Sequence, residues 1–194
     1  MKELLLIRHG ETDHNKELRF TGFTDIPLNS TGRDQAANLK DKFMSEGITS
    51  IYSSDLKRAA ETAEIISGSG RMEITPALRE MNFGIFETLN YEEIVKDYSE
   101  EFNLWGSDKK NYRIPQGESY SEMAERVLSF VGGILESDIE KAAIVSHSGC
   151  IRTVLAFYLL GTVEDTWKFF IDNCTITRLC IGKRSAYLKT LNEK

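Results

Sequence analysis

The chain has 194 residues, 41% of them hydrophobic and 28% charged, with a formal net charge of −6. This is enough for an α/β core of ordinary globular composition, and it excludes a membrane-spanning apolar run and wholesale nucleic-acid binding. Three cysteines, Cys150, Cys174 and Cys180, form no CxxC pair and leave an odd one over, which argues against a disulfide framework or a thiolate zinc site.

The run Leu4-Leu5-Leu6-Ile7 reads as a core strand that empties into Arg8-His9-Gly10-Glu11-Thr12. Ser30 or Thr31 is expected to cap a helix carrying Ala36, Leu39, Phe43 and Met44 at helical spacing, ended by Gly47. A second strand follows over Ile48 to Ser53. Asp55 is a candidate N-cap for a helix running to Gly68, with Arg58 in its first turn. Met72 to Thr75 reads as a short third strand, and Glu80 falls in the polar turn after it. Residues 82–118 then lack a clear strand. They hold two short helical patterns, Tyr91 to Tyr98 and Glu101 to Trp105, and read as a lid-like insertion that shapes specificity. Ser119 or Ser121 opens a long amphipathic helix bearing Met123, Val127, Phe130, Val131 and Ile134. Ala142 to Val145 is another buried strand, ending in Ser146-His147-Ser148-Gly149, and a helix from Cys150 to Leu160 stops at Gly161. Thr175 to Ile181 and Ala186 to Leu191 read as a hairpin across Gly182-Lys183. With no repeat or linker, one domain over 1–194 is expected.

Strand ends and helix starts thus deliver Arg8, His9, Arg58, Glu80 and His147, and a mostly parallel sheet brings such positions to one edge. Two arginines, two histidines and a carboxylate suit phosphoryl transfer. The guanidinium fork matches phosphate oxygens. A helix N-terminus adds N–H donors. Histidine attacks phosphorus without a metal, and a glutamic acid can protonate the leaving oxygen and later activate water.

These residues resemble the histidine phosphatase superfamily, in the branch that includes cofactor-dependent phosphoglycerate mutase. The matching blocks are Arg8-His9-Gly10-Glu11-Thr12 with Asn15, Thr21-Gly22 before Asp25 and Leu28, Gly32 with Gln35-Ala36, Ser54-Asp55-Leu56 with Arg58-Ala59 and Thr62-Ala63, Leu78 with Glu80, Phe83-Gly84 with Phe86-Glu87, and His147 at a strand end. The resemblance implies a three-layer α/β/α sandwich with a central, mostly parallel sheet. It implies that His9 becomes phosphorylated, that Arg8, Arg58 and His147 hold the phosphoryl oxygens, and that Glu80 is the general acid and then the base. Asn15, Thr21 and Gly22 would line the phosphate pocket, joined by Ser148 on the substrate side. No metal or other cofactor is implied. The expected partner is a small phosphorylated metabolite rather than nucleic acid or membrane, with a homodimer left open and the cytoplasm as compartment.

The region Thr88 to Gln116 carries only Lys96, Lys109, Lys110 and Arg113 against six acids, which favours a phosphatase over a mutase that retains a bisphosphate. Asn82 to Glu87, Ile114 to Ser119 and Trp167-Lys168-Phe169 resemble α-ribazole phosphatases of cobalamin synthesis. A mutase, a broad-specificity sugar or metabolite phosphatase, and an inactive phosphate-binding regulatory module remain the alternatives. Thr88 and Ser148 depart from the usual pattern, each standing where the family often has Gly. Several residues carry bland readings alongside functional ones. His14 reads as a solvated loop residue, Cys150 as core rather than nucleophile, and Arg19, Arg33 and Arg152 as surface ion pairs or contributors to the positive field. Glu87 either bonds a catalytic arginine or faces solvent. Trp105, Tyr112, Phe102 and Tyr120 either cover substrate or pack.

Overall fold

A computed structural model describes residues 1–68 and 70–194. The organising strand is β1 (Lys2–Arg8), and its side chains explain the layering. Leu4 and Leu6 enter one hydrophobic cluster while Leu5 and Ile7 enter another, as alternation on a pleated strand requires. All four are essentially fully buried, each contributing ~1.5–3 kcal/mol. A strand buried on both faces needs cover on both, and the chain supplies it.

The first cover is α2 (Ser30–Ser45) and α3 (Lys57–Ser67), following a single-turn α1 (Asp13–Lys16). They pack Ala36, Leu39, Phe43, Ala59, Ala63 and Ile66 against Leu5 and Ile7. The second is α6 (Tyr120–Glu136) and α7 (Ser148–Leu160), which bring Met123, Val127, Val131, Ile151, Val154 and Leu155 to Leu4 and Leu6. Between these layers lie β2 (Ser50–Ser54), β3 (Glu73–Thr75), β4 (Lys141–Ser146), β5 (Ile176–Ile181) and β6 (Ala186–Glu193). The order is β3-β2-β4-β1-β5-β6. The first four strands run parallel, and β5 and β6 add an antiparallel hairpin at the edge. The α/β/α sandwich expected from the sequence is therefore the fold.

Parallel register sets the site. Arg8 is level with Ser146, and Ser53 with Val145, so β1, β4 and β2 release His9, His147 and the start of α3 at one sheet edge. The insertion folds as α4 (Tyr91–Asp97) and α5 (Ser99–Ser107) and sends Phe86, Ile94, Trp105 and Ile114 into the α6/α7 core. It is a packed wall rather than a loose flap. No helix among the described residues is long and apolar enough to cross a membrane.

Two expected caps differ. Asn29, not Ser30 or Thr31, caps α2, because its side chain accepts from the Gly32 N–H, the third residue of the helix. The residue before α3 is Leu56, with no side-chain cap, and Asp55 instead takes a bidentate pair from Arg79 at 2.7 and 2.6 Å. An ion pair from a distant turn displaced the local cap. Thr88 has φ +68°, the left-handed region where glycine is the unstrained choice, and a β-branched side chain there stores local strain.

Candidate active site

Beyond β1 the His9 N–H continues the ladder to Ser146 O at 3.0 Å, so the ring is carried by the sheet itself. His9 is 4% exposed, and its Nδ1 lies 2.7 Å from Gly10 O. A carbonyl only accepts, so Nδ1 must carry the proton, and in the neutral ring Nε2 keeps a bare lone pair. His147, the residue between β4 and α7, sits with its ring centroid 5.1 Å from that of His9. Its Nε2 meets Ser54 Oγ at 2.9 Å, and its buried Nδ1 has no protein partner.

Arg58, in the first turn of α3, is 1% exposed and donates to three carbonyls: Gly22 at 2.7 Å, Thr24 at 2.9 Å and Thr21 at 3.4 Å. Arg8 donates from Nη1 to Ile171 O at 2.7 Å, while its buried Nε has no protein partner. Glu80 accepts from the Met81 N–H and, with its other oxygen, from the Gly149 N–H at the start of α7. A carboxylate is well placed at a helix N-terminus. Gly149 is required there, because a Cβ would lie 2.2 Å from Glu80 Oε1.

Burial dominates the electrostatics. It pulls Arg8 down to about 10, with Glu80 opposing, and lowers Arg58, with Glu80 and Glu87 opposing. Burial, then the Arg58 charge, holds both His9 and His147 well below the ordinary imidazole value of 6.5. Both rings are thus neutral in the unliganded protein at neutral pH. The sign for stability follows. Above pH 6.5 neither folded nor unfolded state protonates these rings. Below it the unfolded chain takes protons that the folded chain refuses, so folding stability falls as pH drops. Chemical denaturation at stepped pH should show this loss below 6.5, and it should shrink in a His9→Ala variant.

The other expected residues take varied places. Asn15 Oδ1 accepts from the Thr12 N–H, capping α1, and from Asn173 Nδ2, which leaves its NH2 end to donate. Thr21 and Gly22 reach the site through their carbonyls on Arg58, whereas the Gly22 N–H is taken by Glu87. Ser148 lies at the start of α7, its Oγ buried without a partner. It lines a cavity of about 310 Å³ beside Glu80, walled by Phe83, Phe102, Trp105, Tyr120 and Trp167. A second cavity of about 410 Å³ shares Trp105, Lys109, Tyr120, Thr166 and Trp167 with it, so one aromatic cleft leads outward from Glu80. Lys109 and Arg152 both stack on Trp167, at 5.1 and 5.2 Å.

His14 bonds Thr21 Oγ1 at 2.9 Å rather than standing free in solvent. Cys150 is core: burial pushes its thiol strongly upward and its S–H donates to Arg79 O. Arg19 and Arg33 are in ion pairs with Glu17 and Glu93, and with Glu61. Two contributors were not apparent from the residue pattern. Arg126 on α6 donates to Ala77 O and Arg79 O, holding the turn that delivers Glu80. Asn173 donates to His9 O and Asn15 Oδ1, tying the end of β1 to α1. Neither belongs to a block, and only contacts distant in sequence reveal them.

The profile of the histidine phosphatase superfamily (branch 1) matches residues 4–194. The chain belongs to that superfamily. Among its relatives, Escherichia fergusonii GpmB, named a probable phosphoglycerate mutase, is 36% identical over 182 residues, covering 92% of this chain and 85% of that protein. The adenosylcobalamin/α-ribazole phosphatase of Escherichia coli K12 is 28% identical over 194 residues, covering 98% and 96%. The crystal structure of the α-ribazole phosphatase from Shigella flexneri superposes with a TM-score of 0.90 at 29% identity, covering 98% and 96%. In this superfamily member Arg8, His9 and His147 leave β1 and β4 at one sheet edge, where the Arg58 charge acts on all three and the Glu80 charge on Arg8.

Proposed function

We propose that the protein is a phosphomonoesterase working through phosphohistidine at His9. The observation that carries this reading is the fixed tautomer: Gly10 O holds the proton on Nδ1, leaving Nε2 nucleophilic beside the buried Arg58 and the half-buried Arg8. In the first step Nε2 attacks phosphorus in line, the P–O bond to the leaving alcohol breaks, and Glu80 gives that oxygen its proton. Arg8, Arg58, His147 and the Asn15 amide hold the equatorial oxygens, where charge spreads in the transition state. The phosphoryl dianion also supplies the counter-charge that two neutral, desolvated histidines beside two arginines lack. In the second step water attacks the phosphohistidine, Glu80 takes its proton, and inorganic phosphate leaves His9 free.

The leaving group faces the aromatic cleft. Its walls favour a flat apolar alcohol over a small, highly charged one, and its cations are already engaged: Lys109 and Arg152 stack on Trp167, and Lys110 pairs with Glu164. This supports hydrolysis over retention of a bisphosphate, and within the phosphatases it favours α-ribazole 5'-phosphate, whose benzimidazole ring suits such walls. Burying a ring of that size is worth ~1.5–3 kcal/mol, or roughly 10–100-fold in kcat/KM. Phosphomonoesters ranked by kcat/KM, in buffer with a chelator, test this. α-Ribazole 5'-phosphate should exceed 3-phosphoglycerate by at least that margin. The reverse order supports the mutase reading, and no turnover of any ester, p-nitrophenyl phosphate included, supports a binding module.

A further inference from the structure

Glu87 is half-buried and hydrogen-bonds no arginine among the described residues; its carboxylate is turned to backbone instead. Its two oxygens accept from five donors: the N–H groups of Gly22, Phe23, Thr24 and Phe83, and the Thr24 hydroxyl, at distances from 2.5 to 3.1 Å. Three of those N–H groups belong to the short loop whose carbonyls, Thr21, Gly22 and Thr24, receive the Arg58 guanidinium. The loop is therefore gripped on its N–H side by one carboxylate, and on its C=O side it grips one arginine. Nothing else bonds the N–H groups of Gly22, Phe23 and Thr24 among the described residues. The fit is close: a Cβ on Gly22 would come within 1.8 Å of Met81 O and 2.5 Å of Glu87 Oε1. Glu87 sits at the end of the 3₁₀ turn Gly84–Phe86, whose Phe86 is fully buried, so the grip is anchored in the core.

We propose that Glu87 is the positioning residue for Arg58: its carboxylate fixes loop 21–24, and the loop aims the guanidinium at the phosphoryl group. This rests on the phosphatase reading above. The requirement is for a carboxylate and not only for the shape of the side chain. Oε1 accepts from three N–H groups and Oε2 from two N–H groups and a hydroxyl, so in Glu87→Gln whichever atom becomes NH2 meets donors with a donor. Glu87→Asp keeps the charge and withdraws it by one methylene.

The experiment is a double-mutant cycle on hydrolysis of p-nitrophenyl phosphate, whose good leaving group keeps weak variants measurable. Glu87→Gln should lower kcat/KM at least tenfold in the chain that has Arg58, and less than about twofold in a chain already carrying Arg58→Ala. Glu87→Asp should restore part of the loss. Equal losses in both backgrounds, or no loss in the first, overturn the proposal. A second readout is independent of turnover. In 15N-arginine-labelled protein, a side-chain N–H signal abolished by Arg58→Lys should be slow to exchange in the parent chain and fast in Glu87→Gln. An unchanged exchange rate also overturns the proposal. If the parent chain hydrolyses no ester, the phosphatase reading fails by itself, whereas the exchange experiment still reports on the grip.

Discussion

His9→Ala is expected to lose turnover by a factor on the order of 10⁴–10⁶, the scale on which removing a covalent nucleophile acts. The reasoning is local. Nε2 is the one atom of the site with a lone pair fixed by its ring partner, because Gly10 O engages Nδ1. His147 does not replace it: its Nε2 is engaged with Ser54 Oγ, and no carbonyl fixes its tautomer. The fold should tolerate the change. The ring contributes one hydrogen bond, worth about 1 kcal/mol, and its removal also takes away a buried imidazole that resists protonation. Circular dichroism should remain that of the parent while steady-state hydrolysis of p-nitrophenyl phosphate disappears. Retained hydrolysis would assign the chemistry elsewhere.

Arg58→Ala is expected to lower kcat/KM by about 10²–10³, the effect of removing one preorganised donor to the transition state. Unlike the change at His9, it should also destabilise the fold, by about 2–3 kcal/mol, since the buried Gly22 carbonyl and the half-buried Thr24 and Thr21 carbonyls lose their donor together. Arg58→Lys keeps the charge, but an ammonium presents no planar fork to span Gly22 O, Thr24 O and a phosphoryl oxygen at once, so it should recover only part of the activity. Urea denaturation beside kinetics separates the two losses. A fully stable Arg58→Ala protein with normal kcat/KM would remove Arg58 from the site.

The sandwich was legible because β1 and β4 are unbroken apolar runs, amphipathic spacing marks α2 and α6, and Gly68 and Gly161 mark the ends of α3 and α7. The five central residues were legible because each stands at the end of a strand, at the start of a helix, or in the turn after a strand. What could not be read depends on partners far along the chain. Asp55 looked like a helix cap until Arg79 was seen to take both its oxygens, and Asn29 outcompeted its neighbours by reach alone. Arg126 and Asn173 lie outside every block and act only across the fold. For Glu87 the sequence offers either a bond to a catalytic arginine or exposure to solvent, and its carboxylate instead holds the backbone that holds the arginine. Thr21 and Gly22 were read as phosphate-lining backbone, and the loop turns its carbonyls toward Arg58 and its Gly22 N–H toward Glu87. The insertion was the least legible, since its short helices gain order by sending Phe86, Ile94 and Trp105 into the core.

The central claim is a covalent bond between phosphorus and His9 Nε2. An alkaline denaturing quench of the enzyme during turnover of a 32P-labelled monoester would trap label that is stable in alkali and released in acid. Peptide mapping should then place all of it on the segment Leu4–Asn15, at His9, with none in the His9→Ala protein. Label on another residue, or equal label in His9→Ala, would contradict the claim.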